Sequence, residues 1–267
     1  MSNEVKGLLI VQCYAVGIQG EKPWTERKDT LLRAMSKSKS EIPTFITLQE
    51  VLVKQLNDIK YGLNGNENSY PWTHFGTGRD DGANGGEFSP IIYNAEDWKL
   101  QSGTQKWLSL TPDIPSAHPT TTYKRIVTMC TFTHKQTGAG INVVNTHYDH
   151  ISNEARNYGS ELIVKYVSEF VNNYPTVVTG DLNSARTGSS YKILANAFAD
   201  TYNIASVKVN ENLPTFSGFS GKEGDTIDFI FASRGIIGAS KHEVVDNLMD
   251  NGLRFSDHRP VVADFSI

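Results

Sequence analysis

Thr176-Val177-Val178-Thr179-Gly180-Asp181-Leu182-Asn183 is the stretch on which the reading turns. Its first four residues are β-branched and read as a strand. The strand stops at a glycine and hands over to a carboxylate and an amide. Ahead of it, residues 153–172 form the clearest helical pattern, with Ile163, Tyr166, Val167, Phe170 and Val171 along one stripe. Behind it, a helix is expected near Tyr191 to Phe198, and a strand over Thr226 to Ala232. Strand and helix alternate in this way along the whole chain. Strands are expected at Leu8 to Tyr14, Thr44 to Leu48, Phe88 to Tyr93, Ile126 to Thr133, Ile141 to Asn145 and Pro260 to Phe265. Helices are expected at Glu26 to Ser38 and around Leu52, Leu56 and Ile59. With no repeat and no break in composition, the expectation is one α/β domain over residues 1–267.

The chain has 267 residues, enough to bury a large core without disulfides. Its two cysteines, Cys13 and Cys130, are far apart and too few for a zinc finger. A net charge of −4 gives no overall pull toward nucleic acid or an anionic membrane. The run Leu8-Leu9-Ile10-Val11 is too short for a signal-peptide core or a bilayer span. A soluble cytoplasmic monomer without a transmembrane segment is the expectation. The loops Asn64 to Pro71, Gly76 to Gly86, Leu110 to Tyr123 and Glu211 to Gly224 are long, and long loops in compact domains usually carry function.

Polar residues gather where strands end, the place where open α/β sheets bind ligands. Gln49-Glu50 follows one strand, and Thr146-His147-Tyr148-Asp149-His150 another. Ser256-Asp257-His258 precedes the last. Each has a plain structural reading. Glu50 suits a helix N-terminus, Asp181 and Asp257 suit turns, and the histidines suit hydrogen-bonded burial. Asp228, flanked by Ile227 and Phe229, is harder to dismiss, because an unpaired buried carboxylate costs several kcal/mol or more. Together the groups make chemical sense. Hard oxygens of Glu50 and Asp257 suit Mg²⁺ or Mn²⁺. His147 and His258 suit a phosphoryl group gaining charge. Asp181 suits a water that must lose a proton, with Asn183 beside it. Asp228 suits the orientation of His258. That is the inventory of metal-assisted phosphoester hydrolysis. Zinc at His147-x-Asp149-His150 is the competing metal reading.

The blocks Leu48-Gln49-Glu50-Val51, Asn145-Thr146-His147, Gly180-Asp181-Leu182-Asn183, Ile227-Asp228-Phe229-Ile230 and Ser256-Asp257-His258-Arg259-Pro260 resemble the endonuclease/exonuclease/phosphatase superfamily, the metal-dependent phosphoesterases of deoxyribonuclease I type. Gly78-Arg79-Asp80-Asp81-Gly82 and Gly86-Glu87-Phe88-Ser89-Pro90 resemble one branch of it. The resemblance implies a four-layer αββα sandwich with two mixed sheets whose strand ends share a cleft. It implies Glu50 and Asp257 as Mg²⁺ or Mn²⁺ ligands, with His147, Asp181, Asn183, Asp228 and His258 as catalytic groups. It implies substrate contacts at Arg79, Asn145 and Asp149.

One position departs from the family pattern. Ala15 stands where the resemblance calls for an asparagine beside the metal. The expected activity is phosphodiester hydrolysis, on nucleic acid or another diester. Lys22, Arg27, Lys28, Arg79, Lys124, Arg125 and Arg254 are the candidates to line a nucleic-acid groove. Three alternatives stay open: a sphingomyelinase-like enzyme, for which Trp72, Trp98 and Trp107 are available though more simply read as partly buried core or loop anchors, a small-molecule phosphatase, and a non-catalytic binding module.

Overall fold

The structure is a computed structural model and describes residues 4–12, 20–37, 44–65, 71–219, 224–233 and 238–267. In chain order the first elements are β1 (Glu4–Gln12), α1 (Trp24–Lys37), β2 (Thr44–Gln49), α2 (Val53–Asn64), β3 (Trp72–Phe75), β4 (Ile91–Asn94), β5 (Trp98–Trp107), β6 (Ile126–His134) and β7 (Gly140–His147). They continue with α3 (Asn153–Ser168), β8 (Thr176–Asp181), α4 (Ser189–Ala197), β9 (Phe198–Asp200), α5 (Thr201–Ile204), β10 (Val207–Val209), β11 (Asp228–Ser233), β12 (Gly238–Val244) and β13 (Val261–Ser266). Cys13, Tyr14, Ala15 and Ser38 lie outside the described residues.

The strands form two mixed sheets, ordered β10-β12-β13-β1-β2-β4-β3 and β5-β6-β7-β8-β11-β9. Period-two alternation explains how they stack, because successive strand residues face opposite sides. Val177 of β8 joins the core between the sheets, while Val178 faces the helices. Likewise Phe45 of β2 faces inward and Ile46 outward. Both faces of the central strands are therefore buried, which is why they read as unbroken apolar runs. Leu31, Met35, Leu56 and Ile59 bring α1 and α2 onto one outer face. Leu162, Ile163, Tyr191 and Leu194 bring α3 and α4 onto the other. The result is the four-layer αββα sandwich.

Several boundaries differ from the sequence reading. The stripe on residues 153–172 overran, since α3 stops at Ser168 and Val171 is exposed. Ser152 caps its other end by accepting from the Ala155 N–H at 3.1 Å. The expected strand at Phe88 to Tyr93 begins only at Ile91, and Phe88 makes an isolated bridge to Val51. Strands β3, β5, β9, β10 and β12 were not anticipated. Trp72, Trp98 and Trp107 are all buried, and Trp98 packs 4.7 Å from the Phe45 ring. They offer no aromatic patch to a lipid surface. Cys130 is a free buried thiol. Among the described residues no helix is long and apolar enough to cross a membrane.

Candidate active site

Strand register assembles one half of the site. β7 and β8 run parallel and place His147 beside Asp181, while antiparallel β11 places Asp228 opposite Asp181. Two carboxylates directly opposite repel one another. Such a pair persists only where cationic groups compensate. His258, just before β13, supplies one, with Nδ1 2.8 Å from Asp228 Oδ2. Close approach of the strands requires Gly180, since a Cβ there would lie 2.3 Å from the Thr146 carbonyl oxygen. Asn247 fastens the loop that carries Asp257 and His258, donating to the carbonyls of Ser256 at 2.6 Å and His258 at 3.1 Å.

The other half comes from loops. Glu50 follows β2 with a φ of 55°, and Asn183 follows β8 with a φ of 45°. These are left-handed conformations that ordinary side chains rarely adopt and that collect at functional sites. Ligand atoms of Glu50, Glu87 and His147 lie within 4.8 Å of one another, and so do those of Asp181, Asp228 and His258. His147 joins the two groups, its Nε2 standing 3.7 Å from Glu50 Oε1 and 3.6 Å from Asp181 Oδ2. Asn183 Nδ2 lies 3.1 Å from His147 Nε2 and donates to the Tyr148 carbonyl at 3.0 Å. Its own N–H donates to Asp181 Oδ1 at 2.7 Å.

The two histidines are held in opposite charge states. Burial, then Arg125 and Arg79, keep His147 well below the usual imidazole range, hence neutral. Burial opposes the charge on His258 as well, yet Asp228 overrides it and pushes His258 up to about 10. The carboxyls move upward. Burial, with Glu87 and Asp257 nearby, raises Glu50 well above the usual range. Burial and Asp228 push Asp181 up to about 7. Burial raises Asp257 too. Sites that set like groups apart in this way can run acid and base steps together.

Two expected substrate contacts are placed elsewhere. Asn145 is fully buried between the sheets, donating to the carbonyls of Leu48 at 2.8 Å and Pro90 at 2.9 Å and accepting from Gln49 Nε2 at 2.7 Å. It staples β7 to β2 and has no polar atom left for a substrate. Asp149 is spent at the entry to α3. It accepts from the N–H groups of Ile151 and Ser152 and from the Thr121 hydroxyl. With Asp149 so engaged, the His147-Asp149-His150 zinc set does not converge, and His150 instead faces Arg125. Arg79 does reach the site, gripped by both oxygens of Glu87 at 2.9 and 2.6 Å.

Glu87 is a site group that the sequence reading passed over, and Arg125 entered it only as one of seven candidate groove cations. Glu87 stands in the quoted Gly86-Glu87-Phe88 block, so its signal was present. Arg125 carried none beyond its charge.

The donor set fits a hard divalent cation. Glu50, Glu87, Asp181, Asp228 and Asp257 gather largely buried oxygens, and Asp228 Oδ1 is buried without a hydrogen-bond partner. Burial first, and neighbouring carboxylates second, disfavour the ionised form of Glu50 and Asp181. A cation bound through oxygen would stabilise the ionised carboxylates, and Mg²⁺ and Mn²⁺ prefer such donors.

The family model for the endonuclease/exonuclease/phosphatase family matches residues 18–258. No curated protein matches the chain. An endonuclease/exonuclease/phosphatase family protein from Bacteroides thetaiotaomicron is 24% identical with a TM-score of 0.89, over 100% of this chain and 99% of its own. The endonuclease/exonuclease/phosphatase from Bacteroides vulgatus is 28% identical with a TM-score of 0.85, over 98% of each chain. A mannosyl-6-phosphatase from Bacteroides thetaiotaomicron is 25% identical with a TM-score of 0.84, over 97% of this chain and 100% of its own. The chain belongs to the endonuclease/exonuclease/phosphatase family, a family of hydrolytic phosphoesterases.

Proposed function

We propose that the chain is a divalent-metal-dependent phosphomonoesterase acting on a small substrate such as a sugar phosphate. The observation that carries this is the gathering of Glu50, Glu87, His147, Asp181, Asp228 and His258 into two ligating groups joined through His147. Glu50, Asp257 and Glu87 would hold Mg²⁺ or Mn²⁺. When bound, the cation neutralises charge on the phosphoryl oxygens. Asp181 takes the proton of the attacking water. Asn183 fixes the orientation of Asp181 and of His147. The His258 imidazolium donates to a phosphoryl oxygen as negative charge grows there, and Asp228 keeps that imidazolium charged and aimed. Neutral His147 sits between the two groups of carboxylates without adding charge.

A small monoester is preferred over nucleic acid because three of the seven candidate groove cations are committed elsewhere. Arg27 is buried, donating to the carbonyls of Lys22 at 2.8 Å and Phe255 at 2.9 Å and pairing with Glu21. Lys124 donates to the Asp80 carbonyl and Arg254 to Asn247. A groove that neutralises several phosphates needs free cations in a row. The likeness to a protein named as a mannosyl-6-phosphatase supports the same choice.

The test is phosphate release from mannose 6-phosphate and glucose 6-phosphate. It runs beside a chromogenic diester, supercoiled plasmid and single-stranded oligonucleotide, with Mg²⁺, Mn²⁺ or EDTA. Metal-dependent release from a sugar phosphate, with plasmid intact, is the expected result. Fast plasmid or diester cleavage would replace this reading with the phosphodiesterase one. No metal-dependent turnover of any substrate would favour the non-catalytic module, and Ala15→Asn would then be the informative variant.

A further inference from the structure

Arg125 is a buried cation with no carboxylate in direct ion-pair contact among the described residues. It is 6% exposed. Its Nη1 lies 2.8 Å from His147 Nδ1, its Nη2 lies 3.1 Å from His150 Nδ1, and its Nε has no hydrogen-bond partner. Its two ring partners are imidazoles rather than carboxylates. A buried charge of this kind is costly unless an opposite charge joins it.

Its neighbour sharpens the point. After burial, Arg79 lowers the basicity of Arg125 most, while the carboxylates of Glu87, Glu50 and Asp149 act in the opposite sense without pairing with it directly. Arg79 is itself answered by Glu87 and locked in place. Its N–H donates to the Glu87 carbonyl at 2.9 Å, and its own carbonyl accepts from Trp107 Nε1 at 2.7 Å. The loop that holds it closes tightly, because a Cβ at Gly78 would lie 2.2 Å from the Gly85 carbonyl oxygen. Two guanidiniums are thus fixed beside one imidazole, and only one of them pairs directly with a carboxylate. Guanidinium forks match the oxygens of phosphate, and fixed donors lose little freedom on binding.

We propose that Arg125, with Arg79 beside it, reads the free oxygens of a dianionic phosphate and so makes the site selective for phosphomonoesters over phosphodiesters. A diester offers one negative charge and one fewer free oxygen, so it leaves part of this pair unanswered. The selectivity rests on the phosphoesterase reading above. Binding of inorganic phosphate does not require turnover and can be tested apart from it.

Inorganic phosphate is titrated calorimetrically into the full chain, first in EDTA and then in Mg²⁺. Wild type is compared with Arg125→Gln, Arg125→Lys and Arg79→Gln. Arg125→Gln is expected to weaken phosphate by about tenfold or more, the size expected for losing charge-assisted hydrogen bonds. Arg125→Lys keeps the charge without the fork, guards against a folding failure, and is expected to weaken phosphate by about threefold. The ratio of kcat/KM for p-nitrophenyl phosphate to that for bis-p-nitrophenyl phosphate is expected to fall by about tenfold in Arg125→Gln. A purely structural role would lower thermal stability and move both esters together. Unchanged phosphate affinity in the folded Arg125 variants, parallel losses on both esters, or no phosphate binding by wild type would overturn the proposal. Should wild type bind phosphate yet hydrolyse nothing, the enzymatic reading falls and the anion site stands.

Discussion

Replacing Asp181 by Asn is expected to abolish turnover and yet stabilise the metal-free protein at pH 8. Asp181 is buried opposite Asp228, and its carboxyl is pushed up to about 7 from an ordinary 3.8. A folded-state pKa above the unfolded one means that the folded chain holds this proton more tightly. The favourable contribution is complete below about pH 4, falls as pH rises toward 7, and above that leaves a constant penalty. A displacement of about three units corresponds to a ceiling of about 4 kcal/mol. The amide can still accept the Asn183 N–H, but it leaves an N–H pair facing His147 without a good acceptor. That offsets part of the gain, and about 2 kcal/mol is left, or about 4 °C in Tm for a chain of this size. Scanning calorimetry in EDTA at pH 8 and pH 5 is the assay. The advantage is expected at pH 8 and is expected to vanish by pH 5. Excess Mg²⁺ should raise wild type more than the variant. A variant less stable than wild type at pH 8, or a gap independent of pH, would refute the charge-crowding account.

Other outcomes follow from the same geometry. Glu50→Gln is expected to lower kcat/KM for a sugar phosphate by about 10²–10³ while its Tm in EDTA stays equal or rises, because the lost group is a crowded carboxyl. Asp228→Asn is expected to bring His258 down from about 10 toward the ordinary imidazole range, seen as a shifted ring titration by NMR, and an unchanged titration would remove that pairing. Asn145→Ala is expected to destabilise the protein by about 2–4 kcal/mol, since Gln49 and two strand carbonyls lose their buried partner, and an unchanged Tm would return Asn145 to the substrate side. Gly78→Ala is expected to cost about 1–3 kcal/mol and to weaken phosphate binding along with it, because the loop that fixes Arg79 cannot close.

Legibility from the residues followed burial. The inner strands β2, β6, β7, β8, β11 and β13 are apolar on both faces, so their runs stood out. The strand-end motifs stood out for the converse reason, as polar residues placed where an apolar run stops. β5 and β12 were invisible for a physical reason. Lys99, Gln101, Ser102 and Thr104 face solvent along β5, a strand at the sheet edge, and the alternation there is too weak to see. Asn145 read as a site residue because it adjoins Thr146-His147, yet period two turns it between the sheets. Asp149 stood in the same polar block, and whether it faced a substrate or a helix end depended on the direction of the chain after β7. Arg125 looked like any loop cation until coordinates removed it from solvent, and burial without a directly paired carboxylate is a property that no linear pattern carries.

A crystal of the full chain soaked with Mn²⁺ and inorganic phosphate tests the central claim most directly. The account predicts anomalous density bonded to Glu50, with the phosphate between it and the guanidiniums of Arg79 and Arg125 and with His258 in hydrogen-bond reach. Manganese bound only in the acidic groove lined by Glu26, Asp29, Asp246 and Asp250, with nothing at Glu50, would contradict it.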